Sequence, residues 1–215
     1  FSSAQLQALE QRYRAALINS IGGYKSLCVI GTRNRNGQTN LAVFSSLFHL
    51  GANPPLLGII IRPDSVDRHT LDNILSTRQF TINHVHEDWY RAAHQTAARY
   101  PADQSEFAAT GLTEQYVTGF YPPFVQESKV HIGAQFRERV DIRHNGTVMI
   151  VAEMVHISLP QDALMPDGFV DLAATGSLTV SGLDSYHTAT RLSRLAYAKP
   201  GVPPATIPVT GAGTN

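Results

Sequence analysis

The chain has 215 residues, 43% hydrophobic and 16% charged, with 17 basic and 17 acidic side chains that cancel to a formal net charge of zero. That is enough apolar material for one sizeable core, and it argues against disorder of the whole chain. There is no basic run to neutralise a row of phosphates, which sets nucleic acid aside, and the longest apolar run, 56–61, is far too short to cross a bilayer. Residues 1–20 show no signal-peptide pattern, because charged and polar side chains interrupt every apolar stretch. The single cysteine, Cys28, cannot form an internal disulfide, and both features fit a cytoplasmic protein.

In chain order, Ser2 and Gln5 have the spacing of a capping box. Leu6, Leu9, Tyr13, Ala16 and Leu17 then recur at helical spacing until Gly22-Gly23, which predicts one helix over about 3–21. Residues 26–32 read as a strand, Asn36-Gly37 as a hairpin turn, and 39 to about 48 as the return strand. "GANPP" breaks that strand and 56–61 forms another. A loop then feeds a helix with Leu71, Ile74 and Leu75 inward. The strand "FTINHV" follows, and after it a helix with Trp89, Ala92, Ala93 and Ala97 inward. Residues 101–125 read as a surface excursion with a short helix at 104–108. Strands at 129–142 and 147–158 are joined by the Asn145-Gly146 turn, and a short helix is expected around 162–165. Residues 1–198 are expected to form one domain, and 199–215 a Pro- and Gly-rich tail. Hairpin turns outnumber crossover helices, so the expected class is mainly β with inserted helices, most simply an antiparallel barrel.

Two segments carry chemistry. Thr39, Asn40, Ser45 and Ser46 place short neutral donors and acceptors where a plain barrel strand would carry branched apolar groups. They suit the edge of a flat heteroaromatic ligand, or they are ordinary edge-strand polarity. Arg62, Arg68, His69 and Thr70 surround a predicted helix start, where free N–H groups and the helix dipole favour an anion. They make a phosphate cradle, or a solvated helix start whose charges hold nothing.

Together with their spacing, the runs "GQTNLAVFSSLF", "NPPLLGIIIR", "HTLDNI", "FTIN" and "SEFAATGLT" resemble the flavin reductase-like family, whose members are FMN-binding split β-barrels and include the flavoredoxins. The resemblance covers about residues 20–160. It implies a split β-barrel, a homodimer, FMN near the dimer interface, and an oxidoreductase using NAD(P)H. By position it implies Thr39, Asn40, Leu41 and Ala42 against the isoalloxazine, Ser45 and Ser46 at the ring or ribityl chain, and Arg62, Arg68, His69 and Thr70 at the phosphate. A flavin-binding electron carrier without nicotinamide turnover, or a split barrel for another planar ligand such as haem, are the rival readings. Fold resemblance does not choose among them. No catalytic acid or base is named.

Beyond the resemblance, Tyr186, His187, Arg191 and Tyr197 form an aromatic and basic segment near the C-terminus. Leu183, Tyr186, Leu192, Leu195 and Tyr197 read either as part of a site or as a packed stripe. His84-x-His86 lacks neighbouring Cys or carboxylate ligands, so no metal site is expected. Ser45 and Ser46 lack a G-x-S-x-G elbow, and no G-x-G-x-x-G loop is present.

Overall fold

The computed structural model describes residues 1–63, 69–101 and 103–209. Helix α1 (Ser3–Ala8) starts with the expected capping box, in which the Gln5 N–H donates to Ser2 Oγ and the Ser2 N–H to Gln5 Oε1. The single helix expected over 3–21 is instead two. Leu9 turns to extended backbone, and Glu10 caps α2 (Gln11–Ile21) by accepting the Tyr13 N–H at 2.9 Å. A carboxylate at a helix start satisfies an otherwise orphaned donor, so a local cap competes with continuation of the helix. Neither helix buries a residue in this chain.

The strands that follow are β1 (Lys25–Ser26), β2 (Cys28–Arg33), β3 (Thr39–Phe44), β4 (Phe48–Ala52) and β5 (Pro55–Ile61). Then come α3 (His69–Thr77), β6 (Gln79–His84), α4 (Tyr90–Gln95), α5 (Glu106–Thr110), β7 (Glu114–Gln115) and β8 (Phe124–Val125). The long hairpin β9 (His131–Ile142) and β10 (Thr147–Ser158) is followed by β11 (Thr179–Ser181), β12 (Ser185–His187), β13 (Arg194–Leu195) and β14 (Thr206–Ile207). The strand expected over 39–48 stops at Phe44, and Phe48 begins the next one. The helix expected to run through Ala97 ends at Gln95. There Thr96 bonds back to the preceding turn, and Ala97 is exposed. A single 3-10 turn at Gln161–Ala163 stands in for the helix expected around 162–165.

The main sheet has seven strands in the order β3-β2-β6-β9-β10-β5-β4, and each pairing is antiparallel. Its outermost strands, β3 and β4, are joined by only Ser45, Ser46 and Leu47. The four Cα–Cα steps from Phe44 to Phe48 reach no more than about 14 Å, so the sheet must curl until its two edges face one another. The result is a split barrel.

Side chains alternate across its wall with period two. Cys28 and Ile30 join Leu57, Ile59, Ile61, Ile74, Phe80, Ile82, Val148 and Ile150 inside the barrel. Leu27, Val29 and Leu41 join Val85, Trp89, Ala93, Phe107 and Val125 in an outer core beneath α4 and α5. The excursion that carries α5 docks closely at Gly31, where an added Cβ would lie 2.5 Å from the Pro123 carbonyl oxygen. That carbonyl accepts from Thr81 Oγ1 at 2.7 Å. No helix among the described residues is long and apolar enough to cross a membrane.

Candidate functional site

The seam between β3 and β5 opens into a cleft of about 720 Å³, within the range of small-molecule sites. One wall is β3 and the turn after it, through Asn40, Ala42, Val43, Phe44, Ser45 and Ser46. Ile60, Ile61 and Arg62 form the next wall, with His69 and Thr70 at the start of α3. The far side carries His94, Arg99, Tyr100, Leu183 and Tyr186.

The β3 backbone is unevenly committed. The Asn34 N–H donates to the Gln38 carbonyl across the hairpin loop, so strict alternation leaves the backbone of Thr39, Leu41 and Val43 pointing off the free edge. The Leu41 N–H is taken by Glu106 Oε2 at 2.9 Å. Thr39 is stitched beside it. Its hydroxyl donates to Glu114 Oε1 at 2.6 Å, so the Ser105 hydroxyl, 2.8 Å away, donates to it in turn. Val43 has no such cover among the described residues, and it faces the cleft.

The ten residues expected to hold a cofactor therefore divide. Asn40, Ala42, Ser45, Ser46, Arg62, His69 and Thr70 line the cleft together. Leu41 is fully buried, with its side chain in the outer core and its N–H on Glu106. Thr39 lines an adjoining polar pocket of about 90 Å³ instead of the main cleft. Arg68 lies outside the described residues.

Several of the seven are also structural. Asn40 Nδ2 donates to Thr32 Oγ1 at 3.2 Å and to Thr70 Oγ1 at 3.0 Å, which ties β3 to the first turn of α3. Asn73 Nδ2 donates to the same Thr32 hydroxyl at 3.1 Å. Ser46 is bonded to the backbone of Ile60 in both directions. Ser45 makes no such contact and is half-buried on the cleft wall.

Two residues in the cleft, Glu106 and His94, were not singled out from the sequence, and the second of them pairs with Tyr186, which was. Glu106, in the first turn of α5, is 7% exposed. Burial pushes its pKa up, against the opposing pull of the Leu41 N–H, its own N–H and the His69 charge. The pattern Ser105-Glu106-Phe107 hints at it, since a lone acid follows a capping residue in an apolar helix. Tyr186 Oη and His94 Nδ1 are 2.5 Å apart. The Tyr186 ring packs on Tyr90 at 5.4 Å, and burial, then the Asp184 charge, raises its pKa.

The rest of the C-terminal segment disperses. His187 bonds Ser181 and Ser185 and meets the Tyr24 ring edge-on at 4.9 Å. Arg191 pairs with Asp171 and Arg194 with Asp167, and both lie over the Phe169 ring. The packed stripe considered for this segment does not form within the chain: Leu192 is 100% and Tyr197 91% exposed. His84 and His86 diverge, the first toward Ser177 and the second toward Asp88 and Lys129. Among the described residues no group of three or more His, Cys, Asp or Glu is placed to share a metal ion.

Comparison with known proteins agrees with this architecture. A split-barrel-domain protein of Shewanella frigidimarina assigned to the flavin reductases superposes with a TM-score of 0.89 at 48% identity, over 92% of this chain and 98% of that one. Nitrilotriacetate monooxygenase component B from Bacillus cereus shares the fold at 17% identity, with a TM-score of 0.78 over 88% of this chain and 96% of that one. An uncharacterised protein of Halalkalibacterium halodurans is 26% identical over 156 residues, which are 70% of this chain and 74% of that protein. The model of the flavin reductase-like domain matches residues 24–173, so the chain belongs to the flavin reductase-like family, whose oxidoreductase split-barrel architecture it carries.

Proposed function

We propose that the cleft binds FMN and that the protein is a homodimeric flavoprotein oxidoreductase acting with NAD(P)H. The observation that carries this reading is the meeting, in one cleft, of a strand with small side chains and an open backbone edge, an apolar wall, and Arg62 beside the start of α3 at His69 and Thr70. Ala42, Ser45 and the Val43 backbone leave room and hydrogen-bonding groups for the edge of a planar ring. Phe44, Ile60 and Ile61 give the ring an apolar backing that excludes water.

Arg62 and His69 supply cationic and imidazole groups for a monophosphate, with Arg68 as a further candidate from the sequence. Thr70 accepts from Asn40, which leaves its own hydroxyl proton for a phosphate oxygen. A bound flavin would supply two-electron redox chemistry, with a reduced nicotinamide as the hydride donor. The chain's own part is to fix the ring's orientation through β3, to balance the phosphate charge, and to keep the cleft dry.

The two-fold partner is supported by apolar surface that this chain leaves uncovered. Ile21 is 77% exposed on a helix with no buried residue, and Leu192 and Tyr197 project from the C-terminal segment. The free, buried thiol of Cys28 suits the reducing cytoplasm expected from the sequence. The test is an absorption spectrum of the purified protein, identification of the released flavin, and anaerobic titration with NADH and NADPH. Bound FMN that bleaches with either nucleotide supports the reading. FAD, a haem spectrum, or FMN untouched by both nucleotides counts against it.

A further inference from the structure

Glu106 stands where the cleft meets the small polar pocket, and it lines both. Its backbone opens α5, its side chain reaches the edge of β3, and Oε2 accepts the Leu41 N–H at 2.9 Å. No side chain among the described residues donates to Oε1. The ionisable groups sharing its two cavities are His69 and Asp72 from α3, Arg62 at the end of β5, His94, Arg99 and Tyr100 across the cleft, and Tyr186 above it. Of these only His69 is close enough to favour the charged carboxylate, and burial outweighs it.

The water that solvates this carboxyl therefore lies on its cavity side. A planar ligand seated on β3 covers that side and removes solvent from a group that is already poorly solvated. An ionised carboxylate covered without a new cation is strongly disfavoured, whereas a neutral carboxylic acid is not. With Oε2 still on Leu41, the proton rests on Oε1 and makes it a donor toward an acceptor on the ligand, either a carbonyl oxygen or an unprotonated ring nitrogen.

We propose that Glu106 takes up a proton when the cleft is filled and holds the ligand as a carboxylic acid donor. This makes it a specificity-determining residue for ligands that present an acceptor edge at that point. The inference rests on the flavin reading above.

The experiment is calorimetric titration of the full chain in buffers of different ionisation enthalpy over about pH 6 to 8: FMN with wild type and Glu106→Gln, and riboflavin with wild type. The amide oxygen of Gln can still accept from Leu41, and a thermal melt checks the fold of the variant. Titration of the FMN phosphate and of the groups beside it is common to both proteins and cancels in the difference, and riboflavin carries no phosphate. We expect wild type to take up close to one proton more per FMN than Glu106→Gln, and close to one proton per riboflavin. Where Glu106 is ionised in the free protein, the wild-type Kd should weaken by about tenfold per pH unit relative to Glu106→Gln. Equal proton counts in wild type and Glu106→Gln, or no uptake with riboflavin, overturn the proposal. Should Glu106→Gln fail to fold, riboflavin with wild type decides: uptake of about one proton supports Glu106 and none overturns it. A chain that binds no FMN overturns the flavin reading and this inference with it, whereas binding without proton uptake overturns only this one.

Discussion

The hydroxyl of Ser46 and the backbone of Ile60 close the barrel's seam. Ser46 Oγ donates to the Ile60 carbonyl at 2.8 Å and accepts its N–H at 3.1 Å, doing with one side chain what a paired strand does elsewhere. Ile60 pairs with Met149 on its other side, and β4, which covers β5 from Pro55 to Gly58, no longer reaches it. A part-buried N–H and carbonyl at the mouth of a ligand cleft would otherwise lack a protein partner.

Ser46→Ala is expected to lower stability by about 1–3 kcal/mol, the cost of leaving such groups unpaired. Ser45→Ala, one residue away on the same wall with no such contact, should stay within about 0.5 kcal/mol of wild type. Urea denaturation of the two variants checks this. Equal midpoints would mean that the Ser46 bridge carries no net stability.

Arg62→Ala is expected to weaken FMN much more than riboflavin, which lacks the phosphate. Loss of one charge-assisted contact corresponds to about 1.5–3 kcal/mol, or roughly tenfold to a hundredfold in Kd. Fluorescence titration with both ligands gives the comparison. Equal losses would assign Arg62 a structural role.

Ala42→Leu adds volume to the cleft wall, because the half-buried Ala42 lines the cleft beside Phe44. The variant should purify without flavin yet melt near the temperature of the stripped wild-type protein. Full flavin retention, or loss of the fold together with the cofactor, would remove β3 as the floor of the site.

Sedimentation should show the proposed dimer, in which a second copy covers the apolar surface of α2 and of 192–197. Replacing Ile21, which is 77% exposed, and Tyr197, which is 91% exposed, by Asp should shift the equilibrium toward monomer. A wild-type monomer that holds flavin tightly would refute the dimer.

His84 makes stability depend on pH. Burial, then the neighbouring His131 charge, lowers its pKa from an ordinary 6.5 to about 4, and His131 is itself lowered by burial. The unfolded chain then binds more protons than the folded one between these values. His84's contribution is complete above about pH 6.5 and is lost as pH falls toward 4, by about 3 kcal/mol in all. Denaturation series at several pH values should show this slope in wild type and a shallower one in His84→Gln. An unchanged slope would move the effect to His131 or to other groups.

Much of the architecture follows from patterns that are local in sequence. The apolar runs in 26–32 and 56–61, the Asn36-Gly37 and Asn145-Gly146 turns, and the capping box at Ser2 and Gln5 each act within a few residues. The turns, the capping box and the strand over 56–61 appear where they were read, and the strand read over 26–32 is divided at Leu27 between β1 and β2. The reading went wrong where a local competitor won. Glu10 caps a second helix, Thr96 ends α4 early, and strand β3 stops at Phe44 so that Ser46 can bridge the seam.

The cleft's near wall was also legible, because Asn40 and Ala42 share one face of β3, and Ser45 and Ser46 follow it directly in the turn. Its far wall was legible only in Tyr186, read as either part of a site or part of a packed stripe. Glu106, His94 and Tyr186 lie about 50 to 150 residues from β3 in sequence, and only closure of the barrel and docking of α4, α5 and β12 bring them to it. The same holds for proton affinity. The identity of Glu106 or His84 specifies a titratable group, but its pKa depends on how much water, charge and backbone N–H the packed structure leaves around it.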